Sequence, residues 1–332
     1  MSAPERTLDR TDPEGEIART AAACSNWGRW GADDALGTLN FLTPEVRVRA
    51  AGLVRRGVAF SLAQAFDGEG PQNGWRRRTN PVHTMLDTGT DAALSNQGFP
   101  HGFGGADDVV AMPLQCSTQW DGLGHIFDHG RAWNGRASGE VVTSAGDQVT
   151  GIQTAAATGI TGRGVLLDVG RVHGDAQGEL PDGFAVTGEH LDATAAAQGV
   201  AVERGDILCV RTGQLARVRR SLAAGRGWGG YAGGDAPGLS FTSAPWLHAR
   251  EVAAVATDTW GFEVRPNEFD TAFQPLHQVV IPHLGLFVGE MWDLDALAED
   301  CAATGVHEFL LSAAPLPFTG AVGSPVNPIA VL

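Results

Sequence analysis

Two runs of the chain, Arg163 to Gly170 (RGVLLDVG) and Asp206 to Thr212 (DILCVRT), are almost continuously apolar over the length of a strand. A strand with one face in water alternates apolar and polar side chains, and a strand covered on both faces does not. These runs read as central strands of a sheet buried on both sides, and Val252 to Thr257 reads the same way. Between the first two lies Thr187 to Gln198, a helix with Thr187 as cap and Gly199 as its stop. Thr43-Pro44-Glu45 opens another helix over Pro44 to Arg56, ended by Gly57. Val58 to Ala65, Leu284 to Gly289 and His307 to Ala314 read as strands, Leu294 to Ala303 as a helix, and Thr271 to Pro282 as partly helical. Strands alternate with helices and no internal repeat is present, so the expected fold class is α/β or α+β.

The stretch Met112 to His129 (MPLQCSTQWDGLGHIFDH) follows a different rule. Gln115, Ser117, Gln119 and Asp121 stand at every second position, so on a strand running from Val109 to Asp121 all four share one face, with Cys116, Thr118 and Trp120 on the other. Three amide or carboxylate groups on one face are costly in a core unless hydrogen-bonded or bound to an ion. The flanks are glycine-rich and apolar rather than charged. Gly122 and Gly124 then break the strand and deliver His125, with Asp128 and His129 just beyond. The expectation is a strand whose polar face opens into a pocket.

The 332 residues, 43% of them hydrophobic, are ample for a sizeable core. No linker composition interrupts them, so residues 21–332 are read as one domain behind a polar, flexible segment, 1–20. The 45 glycines favour loops around a sheet over a helical bundle. A net charge of -15 argues against a nucleic-acid backbone or an anionic membrane as partner. Cys24, Cys116, Cys209 and Cys301 are scattered and read as reduced core thiols. With no signal-peptide pattern and no apolar stretch of bilayer length, the expected compartment is the cytoplasm. Residues 67–108 form a long Gly- and Asn-rich insertion, expected to act as a lid or an oligomer contact. Gly225 to Gly238 is a second candidate lid. No dinucleotide-binding glycine motif, phosphate-binding loop or nucleophile elbow is present.

A second cluster of possible ligands lies near the C-terminus. Glu290 interrupts the apolar run LGLFVGEMW, where a carboxylate must be paired or metal-bound, and His277 lies well before it in the chain, across a turn. At this point the chain resembles the cyclase family typified by bacterial kynurenine formamidase and isatin hydrolase. The family motif H-x-G-T-H-x-D-x-P-x-H is matched by Gln115 to His125 (QCSTQWDGLGH). The resemblance extends over TGRGVLLDVGR, GDILCVRTG, ATDTWGFEVRP and the ending AAPLPFTGAVGSPVNPIAVL. It implies a single domain on a mixed, partly barrel-like sheet with flanking helices, and a homodimer or homotetramer. It also implies a divalent metal site completed by a later His and Glu, with the last motif histidine as acid/base. Carried over by position, Asp121, His277 and Glu290 become ligands, Gln115 and Gln119 stand at the two histidine positions, and His125 is the acid/base. Ser117 replaces the motif glycine and Leu123 the motif proline. This wording, TQWDG, suggests a long-chain subgroup. Amide oxygens are hard, weak donors, so Mn²⁺ or Mg²⁺ suits the set better than Zn²⁺, and loss of the metal is the alternative.

The leading functional expectation is hydrolysis of a carbon–nitrogen bond in a linear or cyclic amide of a small molecule, with His125 and Asp121 as catalytic groups. The alternatives are a metal-independent lyase, isomerase or lactone hydrolase using His125, and a non-catalytic small-molecule binder. Trp120, Trp260, His83 and His129 are the expected substrate contacts, the tryptophans as walls for a flat ligand.

Overall fold

The structure, a computed structural model, describes residues 8–332. Nine strands make the main sheet: β1 Ala59–Ser61, β2 Gln119–Asp121, β3 Thr161–Asp168, β4 Ile207–Arg211, β5 Ala254–Thr257, β6 Phe287–Glu290, β7 Glu308–Ser312, β8 Gly323–Pro325 and β9 Ile329–Val331. Their spatial order is β1-β9-β7-β3-β4-β5-β6-β2-β8. The four central strands, β3 to β6, are parallel, and antiparallel strands flank them on both sides. This is the mixed sheet with flanking helices that the sequence led us to expect.

The apolar runs do bury both faces. Along β3, Val165 and Leu167 enter one hydrophobic core and Leu166 the other; along β4, Leu208 and Val210 join the first and Ile207 and Cys209 the second. Helix Gly188–Gln198 covers one side, capped by the Thr187 side chain and ended by Gly199 at φ +64°, a left-handed turn that glycine adopts without strain. Helix Pro44–Ala51 starts where expected, at Thr43, but stops before Arg56. All four cysteines are buried and unbridged. No helix among the described residues is long and apolar enough to cross a membrane.

Other expectations need correction. Residues 1–7 lie outside the described residues, but the rest of the expected flexible lead-in gives way to helix Pro13–Cys24, capped by Asp12, which buries Ile17, Ala21 and Cys24 at helical spacing. The long strand Val109 to Asp121 is two short ones: Asp107–Ala111 belongs to an exposed hairpin with Val82–Asp87, and only Gln119–Asp121 enters the main sheet. Pro113 and the turns after it separate them, because proline supplies no donor for a ladder. The 67–108 insertion is therefore structured in part. Helix Gln214–Ala223 was not read from the sequence: its N-cap, Gly213, offers no capping side chain, and the signal it does carry is the helical spacing of Leu215, Val218 and Leu222.

Candidate functional site

The site is set by strand register. β6 and β2 run antiparallel with Glu290 opposite Gln119 and Val288 opposite Asp121. Gln119, Asp121 and Glu290 thus share one face, at the carboxyl end of the parallel strands, where open α/β sheets bind their ligands. Gly289 lets the strands close up: a Cβ there would lie 2.6 Å from the Ala256 Cβ and 3.0 Å from the Trp120 ring. Immediately after Glu290 the chain turns through Met291 at φ +58°, a strained conformation for a long side chain.

Helix Pro275–Val279 brings His277 to the same place. One ligand atom from each of Asp121, His277 and Glu290 lies within 4.8 Å of the others, and all three residues are buried. The His277 Nε2 stands 3.1 Å from Glu290 Oε1, and its Nδ1 is hydrogen-bonded to Glu263. Glu263 is itself held by the backbone N–H groups of Leu276 and His277, at 3.0 and 3.2 Å. A carboxylate on Nδ1 leaves Nε2 as the ligating nitrogen, the usual support behind a metal-binding histidine. Gln119 donates its Nε2 to Glu290 (2.8 Å) and Asp121 (3.3 Å), while its Oε1 is buried without a partner.

The electrostatics follow from burial. Desolvation first, and the Glu290 charge second, push the Asp121 carboxyl up to about 7, against the pull of Arg78, His277 and Arg76. For His277, burial works to lower the pKa but is outweighed by Glu263 and then Glu290, which raise it to about 10. His125 lies 3.7 Å from Asp121. Burial, with the charges of Arg78, Arg76 and His277, holds its imidazole well below the ordinary range and so keeps it neutral.

Two carboxylates and a supported imidazole nitrogen, all buried, form a donor set that suits a divalent cation, while Gln119 turns its nitrogen rather than its oxygen to the carboxylates. Of the remaining predicted residues, all but Trp260 fall elsewhere. Gln115 packs against Gly323, the cross-strand neighbour of Asp121, and is hydrogen-bonded to none of the cluster. Trp120 is a core residue: strand alternation turns it to the opposite face, where its indole donates to the Ala313 carbonyl and packs edge-on against Trp292. His83 sits on the exposed hairpin, bonded across it to Asp108. His129 is exposed and paired with Asp128, and Asp128 also binds Gln278 and His283, so neither orients His125. Trp260 does stand near the cluster, followed by Gly261, whose Cβ would lie 3.8 Å from Glu290 Oε1. Sequence reasoning missed Glu263, Arg76 and Arg78. Glu263 falls in the ATDTWGFEVRP stretch of the resemblance, but its role depends on a contact fourteen positions away.

Residues 47–264 match the family model called Cyclase. A crystal structure described as a novel cyclase is 37% identical, covers 93% of this chain and 100% of its own, and superposes with a TM-score of 0.82. Isatin hydrolase A from Ralstonia solanacearum is 16% identical, with 86% of this chain and 94% of its own covered, at a TM-score of 0.59. An isatin hydrolase bound to the product analogue thioisatinate gives 16%, 85%, 94% and 0.58. At that identity the last two establish the fold alone. No curated protein matches. The family match spans well over half of the sequence, and the chain belongs to the cyclase family.

Proposed function

We propose that this chain is a hydrolase cleaving the carbon–nitrogen bond of a linear or cyclic amide in a small molecule, with Mn²⁺ or Mg²⁺ held by Asp121, Glu290 and His277. The observation that carries this reading is the buried convergence of those three ligand atoms within 4.8 Å, with Glu263 behind His277. The isatin hydrolases that share the fold are named for opening a cyclic amide, which supports the reading. A divalent ion at such a site supplies carbonyl polarisation and a more acidic water. The chain's own groups do the rest. His125, neutral and beside Asp121, takes the proton from the attacking water and returns it to the leaving nitrogen. Glu263 holds the His277 tautomer. The Gln119 amide bridges the two carboxylates and fixes their rotamers.

A metal-independent reading has one observation in its favour. His277, protonated, already sits as a cation between Glu263 and Glu290. His125 would then run lyase, isomerase or lactone chemistry at the same site.

Elemental analysis of protein purified without chelator separates the two. The hydrolase reading expects a stoichiometric divalent ion, lost in Glu290→Gln, and turnover of an amide panel that falls on the order of 10²–10⁴-fold in His125→Ala. Substoichiometric metal, with turnover indifferent to chelators, overturns the metal-assisted version. Two further proposals accompany this one. A second copy of the chain is the partner, and the four unbridged thiols fit a reducing, cytoplasmic location.

A further inference from the structure

Arg78 presents an anomaly. The residue is only 7% exposed, yet among the described residues its guanidinium forms no hydrogen bond and no ion pair. Its one evident contact is with the face of Trp260, 5.1 Å from guanidinium carbon to ring centroid. Buried arginines are ordinarily paired, because an uncompensated buried charge is costly. Stacking on an indole offsets only part of that cost and leaves the N–H edges of the fork free.

The surroundings place this unpaired fork beside the site. Trp260 leads directly into Gly261, which abuts Glu290 and the Gln274 amide. Arg76 reaches in from the same turn and donates to Gln274 Oε1 at 3.2 Å. The turn is held under strain: Arg76 and Arg77 are consecutive non-glycine residues at φ +53° and +62°. Strain of this kind persists where the surrounding structure holds a side chain in a required position. The charges of both Arg76 and Arg78 are felt at Asp121 and His125, so the two guanidinium groups lie within electrostatic reach of the reacting centre. Trp75 packs on Trp260 at 4.9 Å between centroids, giving the fork an aromatic floor.

We propose that Arg78, backed by Arg76, is a carboxylate-binding subsite, so that the substrate carries a carboxylate in addition to the bond that is cleaved. The guanidinium fork matches a carboxylate in a bidentate fashion, and the aromatic floor suits a planar acid. What is bound there as substrate rests on the hydrolase reading; the subsite itself does not.

The test is calorimetric titration of the full-length protein with benzoate and with its neutral isostere benzamide, at neutral pH. Benzoate should bind at least tenfold more tightly, and Arg78→Met should erase that preference, weakening benzoate on the order of 10–100-fold. Arg78→Lys keeps the charge and loses the fork, so it should bind benzoate at an intermediate affinity. Equal binding of the two probes, absence of benzoate binding up to tens of millimolar, or benzoate affinity unchanged in a folded Arg78→Met overturns the proposal. The last result would also be the signature of a carboxylate held by a metal ion instead. Should Arg78→Met fail to fold by circular dichroism, unchanged benzoate affinity in Arg78→Lys overturns the proposal just as well. Benzoate binding without amide turnover would sink only the hydrolase reading, and metal-dependent turnover without benzoate preference would sink only the subsite.

Discussion

At the scale of single residues, the site depends on which atom of each side chain is left free. His277 offers Nε2 to the cluster because Glu263 takes Nδ1, and Glu263 is fixed in turn by two backbone N–H groups. Removing the charge of Glu263 should therefore reach the metal without touching it. Glu263→Gln is expected to weaken Mn²⁺ binding about 10–100-fold, read by calorimetry, with its circular dichroism spectrum unchanged. Affinity equal to that of the unaltered protein would mean that Glu263 is only a structural partner of His277. Asp121 and Glu290 were visible in the sequence as polar residues set where apolar ones were due, and His277 only through the family resemblance. Trp120 and His83 were misplaced for a common reason. A ring or imidazole near a motif is no guide to the face it occupies until strand pairing is known.

At the scale of elements, the β6–β2 register does most of the positioning. A slip of one residue would turn Gln119 and Asp121 into the opposite core, so the packing of Gly289 against Ala256 and Trp120 protects the site as well as the fold. The hairpin Val82–Asp87 with Asp107–Ala111 is the contrary case. It packs on no core, and it leaves Val82, Met85, Leu86, Val109 and Val110 exposed along its strands, with Leu94, Phe99 and Phe103 exposed at its tip. Isolated two-stranded hairpins are marginal in water, and an apolar patch of this kind is usually covered. A second copy of the chain is the expected cover. Light scattering should give a mass of at least twice 34.7 kDa. Replacing residues 88–106 by an Asn-Gly turn should bring that mass down to a single chain. A monomeric native protein would refute the oligomer and leave the hairpin as a lid.

At the scale of the whole molecule, charge works against the fold at neutral pH. Burial pushes the Asp206 carboxyl up to about 6, although the Glu203 N–H and Arg163 pull the other way. The folded state thus holds this proton more tightly than the unfolded chain does. Its contribution to stability is complete below the ordinary carboxylate range and is lost as pH rises through about 6. The stability advantage of the natural protein over Asp206→Asn, measured by urea denaturation, should shrink by on the order of 1 kcal/mol between mildly acidic and neutral pH. A difference independent of pH would show that Arg163 keeps Asp206 ionised throughout. The sequence by itself determined that a sheet covered on both faces would form, because Val165 to Leu167 of β3 and the runs of β4 and β5 carry no polar alternation and can only be buried twice. It determined which acids were out of place, because a carboxylate in an apolar run must have a partner. Only the tertiary structure decided what those partners were. Glu290 meets Gln119 through an antiparallel pairing across 171 positions, and Arg78 meets Trp260 through a strained turn. Contacts at such separations are fixed by packing and register, which no local pattern encodes.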